Sequence, residues 1–150
     1  MDYEKYFDGP CTVARGLLRV GDAWSMMILR DAGYGATRFD QFRTSLGIAP
    51  NILTRRLAAL TEDGLLEKRR YSERPPRDEY VLTEKGRDFL PILAAIAAWG
   101  RKYHGEGAIS HLADAETGAP IDAQVVDRAT GRPLGTFPMR LVMPNQAPTD

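Results

Sequence analysis

The 150-residue sequence predicts a mainly α-helical fold that carries one small antiparallel β element. Apolar residues recur at helical spacing in several segments, and a glycine ends each of the first four. Two extended segments then flank a Pro-Pro pair, which is the pattern of a hairpin. The composition, 43% hydrophobic and 27% charged, is that of a globular protein. We therefore expect one ordinary domain with a small appendage.

Four helices are predicted in the first 64 residues. The first begins near Pro10 or Cys11. The four helices span about 10–20, 23–32, 38–46 and 50–63. Asp22 is the expected N-cap of the second helix, and Gly47 is the expected stop of the third. Only the turn GIA separates the third helix from the fourth, PNILTRRLAALTED. The third and fourth helices are thus expected to lie directly against each other.

The hairpin is predicted from two segments, LLEKRRY (65–71) and RDEYVL (77–82), joined by the loop SERPP (72–76). Proline has no backbone N–H to donate, so this loop cannot belong to a core strand. The second segment alternates polar and apolar residues, as expected for a half-covered strand.

A long helix is predicted after the hairpin, from the N-cap Thr83 to about His104. Pro91 lies inside it, so we expect a kink or a boundary there. Its apolar stripe includes Phe89, Ile96 and Tyr103, and is more apolar than one small domain needs. Packing against a second copy and ordinary core packing both remain open.

The tail contains a repeat, DAETGAPI (114–121) and DRATGRPL (127–134), which match as D-x-x-T-G-x-P-aliphatic. Asp and Thr-Gly favour turns, and the apolar residues between them favour strands. We predict a C-terminal β-rich unit over residues 105–150, with three short strands and a disordered end, MPNQAPTD.

A helix, a short turn and a second helix form the arrangement in which one helix supports another in the DNA major groove. A following two-stranded ribbon makes the winged variant. On a helical wheel of the fourth helix, Leu53, Leu57 and Leu60 share one side. The sequence therefore predicts a winged helix-turn-helix fold over residues 1–104.

The opposite side of the fourth helix carries Asn51 and Arg55, with Thr54 at its edge, and these side chains can reach phosphates or base edges. Arg56 lies beside the apolar stripe, where a phosphate contact or an internal ion pair suits it. The alternative is an ordinary solvated helix surface.

Charge is concentrated in the middle of a chain whose formal net charge is zero. Residues 38–104 hold thirteen basic and nine acidic groups, so this segment carries +4. A basic segment favours a polyanionic partner. The arginines expected to contact phosphates or the minor groove are Arg69, Arg70, Arg74 and Arg77 on the ribbon, with Arg38 as a further backbone contact.

The residues between about 10 and 104 resemble HxlR-type transcriptional regulators, a winged-helix branch related to MarR proteins. The resemblance rests on Cys11, GDAWSMMILRD (21–31), TRFDQF (37–42), LGIAPNILTRRLAALTEDGLLEKRRY (46–71), PPRDEYVLTEKG (75–86) and LPILAAIAAWG (90–100). It implies a homodimer that binds double-stranded promoter DNA, with PNILTRRL as recognition helix and residues 65–82 as wing. The long helix and the N-terminal segment would form the dimer interface. Relatives commonly have Ser before the recognition helix, where this chain has Ala49 and Pro50.

Cys11, the single cysteine, lies where some relatives of this type keep an oxidant-sensing cysteine. A helix N-terminus favours the thiolate, which supports a redox role. One cysteine per chain would require a disulfide across a dimer or a small-molecule cap. The alternative is a structural residue, in a regulator that responds to a small molecule.

Other classes of function find little support in the sequence. Some relatives carry a zinc ribbon with CxxCG elements, but the matching segments here read DAETG and DRATG, so we expect no metal and no cofactor. His104 and His111 are the only histidines, and no nucleophile has an evident base, so we expect no enzyme. No membrane-spanning segment and no signal peptide are evident, so we expect a cytoplasmic location. The remaining rival is a protein-interaction module that kept the fold without binding DNA.

Overall fold

The computed structural model describes residues 8–144 of the chain. The chain divides into two compact units, Met1–Leu90 and Pro91–Asp150. The elements in these described residues are α1 (Thr12–Val20), α2 (Ala23–Gly33), α3 (Phe39–Leu46), α4 (Pro50–Glu62), β1 (Leu66–Glu73), β2 (Pro76–Leu82), α5 (Glu84–Arg87) and α6 (Leu90–His104). The predicted mainly helical winged helix is confirmed. No helix within residues 8–144 is long and apolar enough to cross a membrane.

Polar side chains define where the first two helices begin. Cys11 is the N-cap of α1, and its Sγ accepts a hydrogen bond from the backbone N–H of Ala14 at 3.5 Å. Asp22 is the N-cap of α2, as predicted, and its carboxylate accepts from the backbone N–H of Ser25 at 2.9 Å. Each cap satisfies an N–H group that has no partner within the helix.

The turn between α3 and α4 is tight because Gly47 adopts a left-handed conformation, with φ of 60°. Glycine reaches this region without the steric cost that a Cβ imposes. The N-cap of α4 is Ala49, and no side chain caps this end. Pro50 takes the first helical position, where its missing N–H removes one donor that would otherwise lack a partner.

The core of the first unit lies between α2, α3, α4 and the start of β1. Its buried apolar side chains are Val20, Ile28, Leu29, Phe42, Ile48, Leu53, Leu57, Leu60, Leu65 and Leu66. The three leucines of α4 are the apolar side predicted from the helical wheel. Because α4 is held by that side, its opposite side is left to solvent.

The wing is a two-stranded antiparallel ribbon in which β1 pairs with β2 from Leu66↔Leu82 to Glu73↔Pro76. The predicted loop over residues 72–76 is too long, because only Arg74 and Pro75 lie outside the strands. Pro76 is tolerated as the first residue of a strand, where no ladder N–H is needed. The Ser72 hydroxyl donates to the Pro75 carbonyl oxygen at 2.9 Å, which closes the turn.

The helix predicted from Thr83 to His104 is two helices, and the break falls just before Pro91. The Thr83 hydroxyl caps α5 by accepting from the Gly86 N–H at 3.1 Å. Pro91 is the second residue of α6. In the first turn of a helix the missing N–H costs nothing, whereas inside a continuous helix proline would break a bond and clash with the preceding turn.

The predicted β-rich C-terminal unit is wrong within the described residues, because none of 105–144 forms a strand. Each D-x-x-T-G segment is instead a turn closed by one isolated bridge, Ala113↔Pro120 or Val126↔Pro133. In each bridge the proline takes a non-hydrogen-bonded position, where its missing N–H costs nothing. The flanking bonds, such as that from the Ile121 N–H to the Leu112 carbonyl oxygen at 2.8 Å, come from other residues. The sequence predicts a disordered end over residues 143–150. Residues 145–150 of that segment lie outside the described residues.

Candidate nucleic-acid interface

The solvent side of α4 carries the polar residues that the sequence placed there. Asn51, Thr54 and Arg55 are all exposed, and Ala58 is exposed one turn further along. Arg55 forms no ion pair with any described residue. This side therefore presents an amide, a hydroxyl and a guanidinium to solvent.

The Thr54 hydroxyl already donates one hydrogen bond within its own helix. Its Oγ1 donates to the Pro50 carbonyl oxygen at 2.9 Å, one turn back. The oxygen keeps lone pairs that can accept a hydrogen bond, and the methyl group stays available for apolar contact. Thr54 thus meets an external group as an acceptor or through its methyl.

Arg56 is half-buried and pairs with α2 rather than standing on the open side of α4. Its Nε lies 3.3 Å from Asp22 Oδ1, close enough for an ion pair but without the alignment of a hydrogen bond. Burial acts to raise the pKa of Asp22, but its hydrogen bonds with Ser25 and the Arg56 charge outweigh burial and lower it. Arg56 therefore ties α4 to the N-cap of α2, the internal alternative that the sequence allowed.

Two of the four wing arginines are paired within the ribbon. Arg69 lies 3.2 Å from Glu67, and Arg70 donates from Nε to Asp78 Oδ1 at 2.9 Å. The hydrogen bond from Arg70 is the main reason that the pKa of Asp78 lies below its ordinary value. The Arg70–Asp78 bond joins β1 to β2, whereas the Arg69–Glu67 pair lies within β1.

The other two wing arginines, Arg74 and Arg77, lie at the tip. Arg74 is in the two-residue turn, and Arg77 is opposite Ser72 in the ladder. Both are exposed, and neither forms an ion pair with a described residue. The uncompensated positive charge of the wing is therefore concentrated at its tip.

Arg38 contacts a residue that the sequence analysis did not select. Its guanidinium Cζ lies 4.5 Å from the centroid of the Tyr71 ring, and Arg38 is the N-cap residue of α3. The register of the ribbon shifts between Arg70 and Ser72. Strand alternation in the sequence does not reveal such a shift, so it does not single out Tyr71. The one sequence signal for Tyr71 is its position directly after the basic residues Lys68, Arg69 and Arg70.

Cys11 is an exposed free cysteine at the start of α1. Among residues 8–144 there is no group of three or more histidine, cysteine, aspartate or glutamate side chains arranged to hold a metal ion.

This arrangement of helices and wing is that of a known family. Residues 19–108 match the family described as HxlR-like helix-turn-helix. The chain belongs to this family. The resemblance to HxlR-type regulators, with their structural relation to the MarR family, is thereby confirmed. Membership places the HxlR-like chain among transcriptional regulators and not among enzymes.

Proteins similar to the HxlR-like chain include the uncharacterized HTH-type transcriptional regulator Rv3095 of Mycobacterium tuberculosis (strain ATCC 25618 / H37Rv). It is 41% identical over 102 residues, which cover 68% of this chain and 64% of that protein. The match thus spans less than two thirds of that relative's length.

Two solved structures are also similar. PA1607, known from a crystal structure, is 39% identical in sequence to this chain. The two structures match with a TM-score of 0.82, over 92% of this chain and 98% of PA1607. The redox regulator HypR in its reduced form is 32% identical, with a TM-score of 0.59, covering 63% of this chain and 94% of HypR. The match to PA1607 covers more of this chain than the first unit contains, so it extends into the second unit.

Proposed function

We propose that this HxlR-like chain is a homodimeric, sequence-specific DNA-binding transcriptional regulator that acts at promoters. The observation that carries the proposal is the combination of two features of one unit. The solvent side of α4 presents Asn51, Thr54 and Arg55. The wing ends in Arg74 and Arg77, which form no ion pair within residues 8–144. A recognition helix with a basic wing is the means by which winged helices read a major groove and grip its flanking backbone.

In this proposal the three polar residues of α4 meet base edges. Arg55 has the geometry to bond guanine O6 and N7, and Asn51 to bond adenine N6 and N7. Thr54, whose donor is directed to Pro50, would accept from a base amino group or contact a thymine methyl. The predicted preference is therefore for a half-site that contains both a guanine and an adenine.

The wing and the start of α3 would supply backbone contacts. Arg74 and Arg77 contact phosphates or the minor groove without first breaking an ion pair. Arg69 and Arg70 are already paired within the ribbon, so they would contribute less to DNA affinity. Arg56, held by Asp22, would contribute least.

Apolar side chains of α6 that the described residues leave exposed to solvent support the homodimer. On α6, Ile92, Ile96, Trp99 and Tyr103 recur at helical spacing, and Trp99 is 60% exposed. No residue of α6 is buried. Monomeric proteins rarely expose so much contiguous apolar surface, whereas a two-fold interface uses the same surface on both copies.

A redox response through Cys11 is the finer part of the proposal. The thiol is exposed at a helix N-terminus, and the similar protein HypR is named a redox regulator. Two Cys11 thiols from two copies would lose two electrons and two protons to a diazene such as diamide, forming one disulfide. We expect diamide to weaken DNA binding by the wild type and not by Cys11→Ser. If the wild type and Cys11→Ser respond equally, Cys11 is a structural residue and the effector is a small molecule.

The DNA-binding proposal is tested by recovering genomic fragments that bind the purified protein and measuring affinity for them across a salt series. We expect Arg74→Ala to reduce the slope of log K against log salt by roughly 1, and Arg55→Ala to relax sequence preference. Arg128→Ala in the second unit is the matched control, because it removes the same charge from an exposed site. Flat salt dependence, or equal affinity of all three variants, would favour a protein-interaction module.

A further inference from the structure

The wing contains an irregularity at Tyr71. The ladder pairs Arg70 with Asp78 and then Ser72 with Arg77, so Tyr71 is an extra residue without a partner in β2. Such a β-bulge interrupts the alternation of side chains and turns the extra residue in a new direction. In this wing, the bulged residue is an aromatic side chain.

The Tyr71 ring lies against the guanidinium of Arg38, with Cζ 4.5 Å from the ring centroid. This distance is that of a cation–π contact. Arg38 precedes α3, and its backbone N–H donates to the Gln41 side-chain oxygen at 3.0 Å. The partner of Tyr71 is thus held at a defined point of the helix-turn-helix.

The other strand of the wing reaches the same point by a different bond. The backbone N–H of Tyr80 in β2 donates to the Thr37 carbonyl oxygen at 2.7 Å. The adjacent residues Thr37 and Arg38 therefore hold β2 by a hydrogen bond and β1 by the ring contact. Two contacts on different strands restrict rotation of the ribbon far more than either would alone.

The contact with Tyr71 also determines how Arg38 can be used. Its Cζ lies over the ring, and the guanidinium N–H groups can bond phosphate in a fork. Arg38 is exposed, so these N–H groups are open to a ligand. The ring contact removes rotamer freedom from the arginine before any ligand binds.

We propose that Tyr71 is a positioning residue that couples the wing to the helix-turn-helix, so that Arg38 and the tip arginines engage the DNA backbone as one set. The proposal rests on the DNA-binding function proposed above. Its first part, the coupling of wing and helices, concerns the free protein and can be measured without DNA.

The first experiment measures hydrogen exchange of the Tyr80 amide by NMR in the DNA-free protein. We expect Tyr71→Leu to accelerate this exchange about two- to fivefold, the effect of losing one exposed cation–π contact. Tyr71→Phe keeps the ring and should match the wild type. Tyr34→Leu, at an exposed tyrosine for which the structure shows no cation contact, is the control. Equal exchange in Tyr71→Leu and wild type would overturn the coupling.

The second experiment is a double-mutant cycle on promoter affinity with Tyr71→Leu and Arg74→Ala. If Tyr71 positions the wing, Arg74→Ala should reduce affinity less in the Tyr71→Leu background than in the wild type, and Tyr71→Phe should restore the full loss. An identical loss in both backgrounds overturns the joint engagement of DNA. A wild-type protein that binds no DNA would overturn the proposed function instead, while the exchange experiment would still decide the coupling.

Discussion

Two residues, Thr83 and Gly86, hold α5 against Gly64 and Leu65, directly before β1. The Thr83 hydroxyl donates toward the Gly64 and Leu65 carbonyl oxygens and accepts from the Gly86 N–H. A Cβ at Gly86 would overlap the Leu65 carbonyl oxygen, which is backbone and cannot move aside cheaply. The close approach of α5 to Leu65, the residue before β1, therefore requires glycine at position 86.

We expect Gly86→Ala to lower the free energy of unfolding by about 1–3 kcal/mol, because the added methyl forces the backbone apart. Gly16→Ala is the control, since a Cβ there meets nothing within 4 Å. In the interior of α1 this change should raise stability by about 0.5–1 kcal/mol. Urea unfolding measures both, and a Gly86→Ala variant as stable as the wild type would contradict the close approach.

Asp22 supports a second prediction at the scale of the residue, because it both caps α2 and faces Arg56. Asp22→Ala should lower the free energy of unfolding by about 1 kcal/mol at neutral pH. Asp22→Asn keeps a capping oxygen and loses only the charge, so its loss should be smaller.

The pH dependence of this difference has a definite sign. The pKa of Asp22 in the folded protein lies below its ordinary value of 3.8. The stabilisation by its charge is therefore fully present above that value and is lost as pH falls through the folded-state pKa. Urea unfolding across this range should show wild type and Asp22→Asn converging at low pH. Glu62→Gln, which removes one negative charge from an exposed site of α4, is the matched control.

At the scale of the element, side-chain hydrogen bonds reinforce the two D-x-x-T-G turns of the second unit, each of which has one isolated bridge. Asp114 Oδ1 accepts from the backbone N–H groups of Glu116 and Thr117 at 2.8 and 3.0 Å. Asp127 Oδ2 accepts from the Thr130 hydroxyl at 2.6 Å. Both carboxyl groups have a lowered pKa, but for different main reasons. For Asp114 it is a backbone N–H, and for Asp127 it is a hydroxyl.

This difference predicts the result of replacing each threonine by valine. Thr130→Val should raise the pKa of Asp127 clearly toward its ordinary value, because the strongest bond to its carboxylate is lost. Thr117→Val should change the pKa of Asp114 much less, because the backbone bonds persist. NMR titration of the two carboxyl groups tests the comparison, and equal shifts would contradict it.

At the scale of the molecule, assembly depends on the exposed side of α6. If a second copy covers this side, Ile96→Asp should raise the dimer dissociation constant by at least about tenfold, since a buried unpaired carboxylate is costly. Val126→Asp makes the same change at an exposed valine outside α6, and should leave assembly unchanged. Sedimentation equilibrium measures both, and equal dissociation constants would exclude this side of α6 as the interface.

Much of the fold could be predicted from local patterns. Glycine stops, the Asp22 cap and the leucines of α4 each depend on neighbours within one or two turns, so helix positions and the solvent side of α4 could be deduced. The ribbon was predicted too short, because Ser72 and Pro76 are turn formers whose pairing depends on the opposite strand. The predicted C-terminal strands are wrong because the apolar residues there favour strands locally, whereas each segment pairs only through a single bridge beside its turn.

The sequence by itself determined the helix-turn-helix, the presence of a basic wing and the three polar residues on the open side of α4, because helical periodicity encodes which side is buried. Only the tertiary structure decided how the arginines are divided: Arg56 to Asp22, Arg69 and Arg70 to the ribbon, Arg38 to Tyr71, and Arg74 and Arg77 to solvent. The reason is physical. A charge is paired or free according to what other segments bring within a few ångströms of it, and that proximity has no local signature in the chain.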